Sequence, residues 1–232
     1  MTEAERRPAA VLWDMDGTLV DTEPYWIEAE YELAERHGGT WSHEHALQLV
    51  GNDLMESGRY IREHMGIDRT AEEIVEELLD GVVARIARRV PWQPGARELL
   101  ERLHADGVPC ALVTMSYTRF VEPILAHLPE GTFVTTVTGD AVRHGKPHPE
   151  PYLVAAKRLG LDPAACLAIE DSPPGAASAA AAGCAVLVVP NHVEVPAGER
   201  RVFRTTLEGL GTDDLAGLLD EARETAAQVQ TG

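Results

Sequence analysis

The sequence predicts a doubly wound α/β fold: a parallel sheet with helices on both faces and a small helical insert after the first strand. Short, continuous apolar runs recur along the chain, as expected of strands buried on both faces. Helical segments alternate with those runs from about residue 95 onward. Between residues 22 and 90 the alternation fails, and only helical patterns remain.

The first run is Ala9–Trp13. The others are Val108–Val113, Phe133–Val137, Cys166–Ile169 and Ala185–Val189, with helices expected over about 95–106, 118–127, 149–160 and 173–182. In the insert, Glu23–Arg36 reads as a helix stopped by Gly38-Gly39, and a short helix follows Ser42. A third runs from about Leu54 to Met65, and a fourth opens at Thr70-Ala-Glu-Glu73 with the signature of a capping box. Pro91 and Pro94-Gly95 end the insert. The expected organisation is a core of residues 1–19 and 93–232 around a helical cap of residues 20–92. A closing strand near Val202 and a helix from about Thr212 complete the chain.

Composition narrows the function. The chain has 232 residues, 44% apolar and 25% charged, which suits a soluble globular protein. A net charge of -18 without a basic stripe argues against nucleic acid as a partner. The longest apolar stretch, Ala176–Val189, is too short to span a bilayer. Cys110, Cys166 and Cys184 form no CxxC pair and read as buried thiols of a reducing cytoplasm. Nothing encodes an oligomer, and a monomer satisfies the sequence. Of the 20 basic side chains, only Lys146 and Lys157 are lysines, which marks each of them for attention.

In open parallel sheets, ligands sit at the carboxyl ends of the strands. Asp14-Met15-Asp16-Gly17-Thr18 leaves the first strand with two carboxylates two residues apart. One can attack phosphorus and the other can move a proton, and their proximity favours a raised proton affinity on Asp16. Thr114-Met115-Ser116 leaves the second strand with a hydroxyl and backbone N–H groups suited to an anion, although Ser116 reads best as a helix N-cap. Lys146, in Gly145-Lys146-Pro147-His148-Pro149, offers a point charge on a constrained turn. Glu170-Asp171-Ser172 offers carboxylates for a hard divalent cation. Four such stations in order are more specific than any one of them. His43 and His45 read as surface residues.

These motifs resemble, in order and spacing, those of the haloacid dehalogenase superfamily. The helical insert is similar to the cap of the group holding β-phosphoglucomutases, phosphoglycolate phosphatases and sugar phosphatases, and the run from Asp14 to Pro24 looks most like the hexose- and hexitol-phosphate phosphatases of that group. The resemblance implies a magnesium-dependent phosphatase of a small phosphorylated metabolite, a sugar or polyol phosphate, working through an aspartyl-phosphate. Asp14 would be nucleophile and metal ligand, and Asp16 the acid and base with its carbonyl on the metal. Thr114, the Met115 amide and Lys146 would bind phosphate. Asp171 would ligate Mg2+ directly, and Glu170 through water. Glu23, Trp26, Asn52 and Asp53 are candidates for substrate selectivity.

Two rivals remain at this point. Phosphosugar mutases of the β-phosphoglucomutase kind carry a histidine where this chain has Trp26, and Gly-x-Ser-Arg where it has Gly51-Asn52-Asp53-Leu54. A non-catalytic metabolite-binding protein has no evident need of both aspartates. Asp16 argues against haloacid dehalogenation, and the absence of lysine from residues 20–92 argues against phosphonoacetaldehyde hydrolysis.

Overall fold

The computed structural model describes residues 7–49 and 54–229. The chain divides into two compact units, one from Met1–Asp21 with Trp92–Gly232 and the other from Thr22–Pro91.

The first unit is built on six parallel strands: β1 (Ala10–Trp13), β2 (Cys110–Val113), β3 (Thr135–Val137), β4 (Cys166–Glu170), β5 (Ala185–Val188) and β6 (Arg201–Phe203), in the order β3-β2-β1-β4-β5-β6. β1, β2, β4 and β5 are buried throughout, which is why they read as unbroken apolar runs. Alternate residues serve opposite faces. Leu12, Val113, Val137, Ala168 and Val186 form one core with Tyr152, Ala155, Ala176 and Ala179 of the helices that cover it. β1 lies between β2 and β4, so the strand order reverses at its carboxyl end, where a crevice opens.

Among its described residues the second unit holds four helices: α1 (Glu23–His37), α2 (His43–Leu47), α3 (Leu54–His64) and α4 (Ala71–Arg88). Thr70 and Glu73 close the capping box that the sequence announces, with Thr70 N donating to Glu73 at 2.9 Å and Glu73 N to Thr70 at 3.2 Å. Ile74, Val75, Leu78, Leu79, Val82 and Ile86 of α4 are buried, and α1 and α3 pack against it. Asn52 and Asp53, two of the selectivity candidates, lie outside the described residues. Among those residues no helix is long and apolar enough to cross a membrane.

In the first unit, α5 (Ala96–Ala105), α6 (Thr118–Leu125), α7 (Glu150–Leu159), α8 (Pro173–Ala181) and α9 (Thr212–Val229) connect and follow the strands. The three cysteines are free and buried.

Within the helical unit, Glu30 is a buried carboxyl whose Oε2 accepts a 2.9 Å hydrogen bond from Trp41 Nε1. Burial raises its pKa from 4.5 to about 7, opposed by the Trp41 bond and aided by Glu23. Between those values the folded state holds a proton that the unfolded chain has released, so stability falls as pH rises from about 4.5 to 7. The loss should reach roughly 3 kcal/mol and is complete above that range. Glu30→Gln keeps an acceptor for Trp41 and removes the titration. Urea unfolding across this window should therefore show a flatter stability profile for Glu30→Gln than for the native chain. Parallel profiles would contradict the assignment.

Candidate active site

The crevice at the carboxyl end of β1 gathers side chains from three strand ends and one long loop. Asp14 follows β1 directly, and its N–H donates to Ile169 O at 3.0 Å, which fixes it beside β4. Glu170 is the last residue of β4, one residue later than the sequence reading ended that strand, and Asp171 follows it. Asp14, Glu170 and Asp171 are 7%, 0% and 8% exposed. One carboxylate oxygen from each lies within 4.8 Å of the others.

Lys146 stands on a turn, as its flanking glycine and prolines lead one to expect. It lies beyond β3 on a loop running to α7. Glu150 fixes that loop, its carboxylate accepting from Arg143 N at 3.0 Å and His144 N at 3.1 Å. The Lys146 N–H donates to Met115 Sδ at 3.3 Å, so Met115 supports the turn with its side chain. The lysine side chain is only 6% exposed, and Nζ donates to Asp14 Oδ1 at 2.5 Å and to Glu170 Oε1 at 2.7 Å. Nζ also lies 5.3 Å from the centre of the Tyr152 ring.

Two buried carboxylates thus share one ammonium, and a third, Asp171, lies beside them. Burial, and then Glu170, raise the pKa of Asp14 well above its ordinary value against the pull of Lys146. The same two causes raise Asp171 to about 7, opposed by the Thr18 hydroxyl and by Lys146. Burial works against the charge on Lys146, but Asp14 and Glu170 outweigh it and hold its pKa above the usual value. The surplus of negative charge and the all-oxygen donor set fit a hard divalent cation such as Mg2+. Asp14, Asp171 and the Asp16 carbonyl are the groups that would hold it. Glu170 is more heavily committed: Oε1 accepts from Lys146 and from Tyr152 Oη at 2.6 Å, and Oε2 from Ser172 Oγ at 3.2 Å.

The loop after β1 is shaped by its own hydrogen bonds. Gly17 N donates to Val20 O at 2.8 Å, and Leu19 and Val20 N–H groups return to Met15 O. Thr18 Oγ1 donates to Asp171 Oδ1 at 3.1 Å. Gln93 holds the loop from outside, its Nε2 donating to Gly17 O at 2.9 Å and its N–H to Leu19 O at 3.0 Å. Asp16 turns toward the second strand, where its Oδ2 accepts from Ser116 Oγ at 2.7 Å and Thr114 Oγ1 at 3.3 Å. Thr114 Oγ1 accepts in turn from Ser116 N at 3.0 Å.

One reading of the sequence is corrected here. Ser116 is not a helix cap: the N-cap of α6 is Tyr117, and the Ser116 hydroxyl serves Asp16. The cap of α8 is Ser172, which accepts from Gly175 N at 3.2 Å and leaves Glu170 and Asp171 for the crevice. Tyr152 and Gln93 were not singled out by sequence. Tyr152 sat within an apolar helix pattern, and its one signal was a phenol that must find a partner when buried. Glu23 and Trp26 lie in α1 of the helical unit, both half-buried.

With this geometry in view, a profile of the haloacid dehalogenase-like hydrolases matches residues 8–183. The chain belongs to that family. It is 36% identical over 191 residues to hexitol phosphatase A of Escherichia coli, covering 80% of this chain and 84% of that protein. It is 35% identical over 193 residues to a probable pseudouridine-5'-phosphatase of Drosophila melanogaster, covering 80% and 83%. Among solved structures, CbbY of Rhodobacter sphaeroides, crystallised with phosphate, superposes with a TM-score of 0.77 at 27% identity over 91% of this chain and 99% of that one. The family's six-stranded parallel core is the sheet described above.

Gly17 offers a direct test of how tightly this loop is packed. Its φ is +90°, and a Cβ there would run into the Asp171 carboxylate. Gly131 has a similar φ of +80° with nothing near its would-be Cβ. Gly17→Ala should cost roughly 2–4 kcal/mol in urea unfolding, and Gly131→Ala about 1–2 kcal/mol from backbone strain alone. Equal costs would refute the close approach.

Proposed function

We propose that this hydrolase is a magnesium-dependent phosphatase of small phosphomonoesters, of the sugar or polyol phosphate class, working through an aspartyl-phosphate on Asp14. The observation that carries the reading is the placement of one buried carboxylate, Asp14, within 2.5 Å of one buried lysine, Lys146, at the switch point of the sheet. The phosphatases among its relatives support the reaction class.

Asp14 attacks phosphorus, and the phosphoryl group moves to its carboxylate while the leaving oxygen takes a proton from Asp16. Lys146 lies against Asp14 and places its charge where phosphate oxygens gather, so charge shared among carboxylates before binding is turned on the phosphoryl group. Thr114 and the Met115 amide hold phosphate from the side of β2. Mg2+, when bound, neutralises phosphoryl charge and orients Asp14. Asp16 then takes a proton from water, which cleaves the aspartyl-phosphate and returns Asp14. Ser116 and Thr114 hold the Asp16 carboxylate between these two proton transfers. Selectivity is assigned to the helical unit, through Glu23, Trp26, Asn52 and Asp53.

Inorganic phosphate release, assayed with Mg2+ across sugar, polyol, nucleotide and glycolate phosphates, tests this reading. Asp14→Asn should lower release at least about a thousandfold. The same substitution relieves repulsion among the buried carboxylates, so the thermal midpoint in metal-free buffer should rise. Phosphate release that survives Asp14→Asn or a chelator would overturn the mechanism.

A further inference from the structure

We propose that the loop carrying Lys146 also forms a second cation site, for a transition metal ion of the zinc or nickel type, from His144, His148 and Glu150. One ligand atom of each of these residues lies within 4.8 Å of the other two. The two imidazole rings face each other, centroids 4.6 Å apart and planes inclined by 33°. Each donor is fixed by bonds of the loop itself. Glu150 accepts from Arg143 N and His144 N, and its Oε2 also pairs with His144 Nδ1 at 2.8 Å. The Glu150 N–H donates to His148 Nδ1 at 3.2 Å, and an ion taking that nitrogen displaces this bond.

The donor set decides the class of ion. Two imidazoles and a carboxylate favour borderline ions such as Zn2+, Ni2+ and Cu2+, whereas the all-oxygen cluster around Asp14 favours Mg2+. In the tetrahedral geometry zinc prefers, bonds of about 2.0–2.2 Å set donors about 3.4 Å apart, so donors that lie within 4.8 Å of one another close by up to about 1.4 Å to hold the ion. The His144 side chain is 63% exposed and can supply that closure by side-chain rotation. The ion replaces the hydrogen bond between His144 and Glu150, and water completes its coordination.

The position gives the site a consequence. His144 and His148 stand two residues before and two residues after Lys146, and Pro147 and Pro149 restrict the backbone between and beside them. An ion held by both rings closes the turn across its base while Lys146 points inward to Asp14. The site therefore clamps the lysine turn without entering the crevice, and its existence does not depend on the phosphatase reading.

Equilibrium dialysis of the full chain against Zn2+, with bound metal counted by atomic emission, tests the proposal. The double variant His144→Ala/His148→Ala should bind one zinc ion fewer than the native protein and keep Mg2+-dependent turnover. Asp171→Asn, which alters the carboxylate cluster instead, should retain the loop ion. Glu150→Gln should weaken the loop ion at least tenfold. An unchanged zinc count and affinity in the double variant would overturn the site. Should that variant fail to fold, imidazole NMR of the native chain decides: stoichiometric Zn2+ must shift His144 and His148, and shifts confined to the other histidines would refute it.

Discussion

The contact of Lys146 with Asp14 and Glu170 is the constraint around which the rest of the site is arranged. An ammonium with almost no exposure is held by carboxylates that meet it, and their charge is in turn partly balanced by it. Each partner arrives from a different part of the chain: Asp14 from β1, Glu170 from β4 and Lys146 from the loop before α7. The contact therefore depends on the register in which the central strands pair. Tyr152 extends the arrangement into the core, giving its hydroxyl to Glu170 and the face of its ring to Lys146.

The same contact leaves the site electrostatically incomplete. One lysine does not balance Asp14, Glu170 and Asp171, and the raised proton affinities of Asp14 and Asp171 express the difference. A fold selected for stability alone would dilute that charge; this one concentrates it in one crevice at the switch point of the sheet. Binding sites held in electrostatic strain of this kind trade stability for function. The trade also explains the packing of the loop after β1, where Gly17 admits the Asp171 carboxylate at a distance no side chain would allow.

Much of this was legible in the sequence because the chemistry follows strand ends and strands announce themselves as apolar runs. The runs near Val11, Ala111, Ala168 and Val186 became β1, β2, β4 and β5, and the carboxylates and hydroxyls just beyond them became the crevice. Lys146 stood out because the chain otherwise uses arginine. The position of that lysine was less legible, since its loop is shaped by Glu150 and Met115, contacts that no periodicity encodes. Ser116 was read as a cap because a serine before a helix usually is one; its diversion to Asp16 depends on a residue a hundred positions away. Gln93 and Tyr152 were silent for the same reason, each defined by a partner distant in sequence.

The measurement that tests the central claim most directly is mass spectrometry of the protein quenched in acid during turnover of a phosphate ester with Mg2+. The account predicts one added phosphoryl group on the peptide that carries Asp14, stable in acid and lost in alkali. Turnover with no phosphoryl group on that peptide, or with the group on another residue, would contradict it.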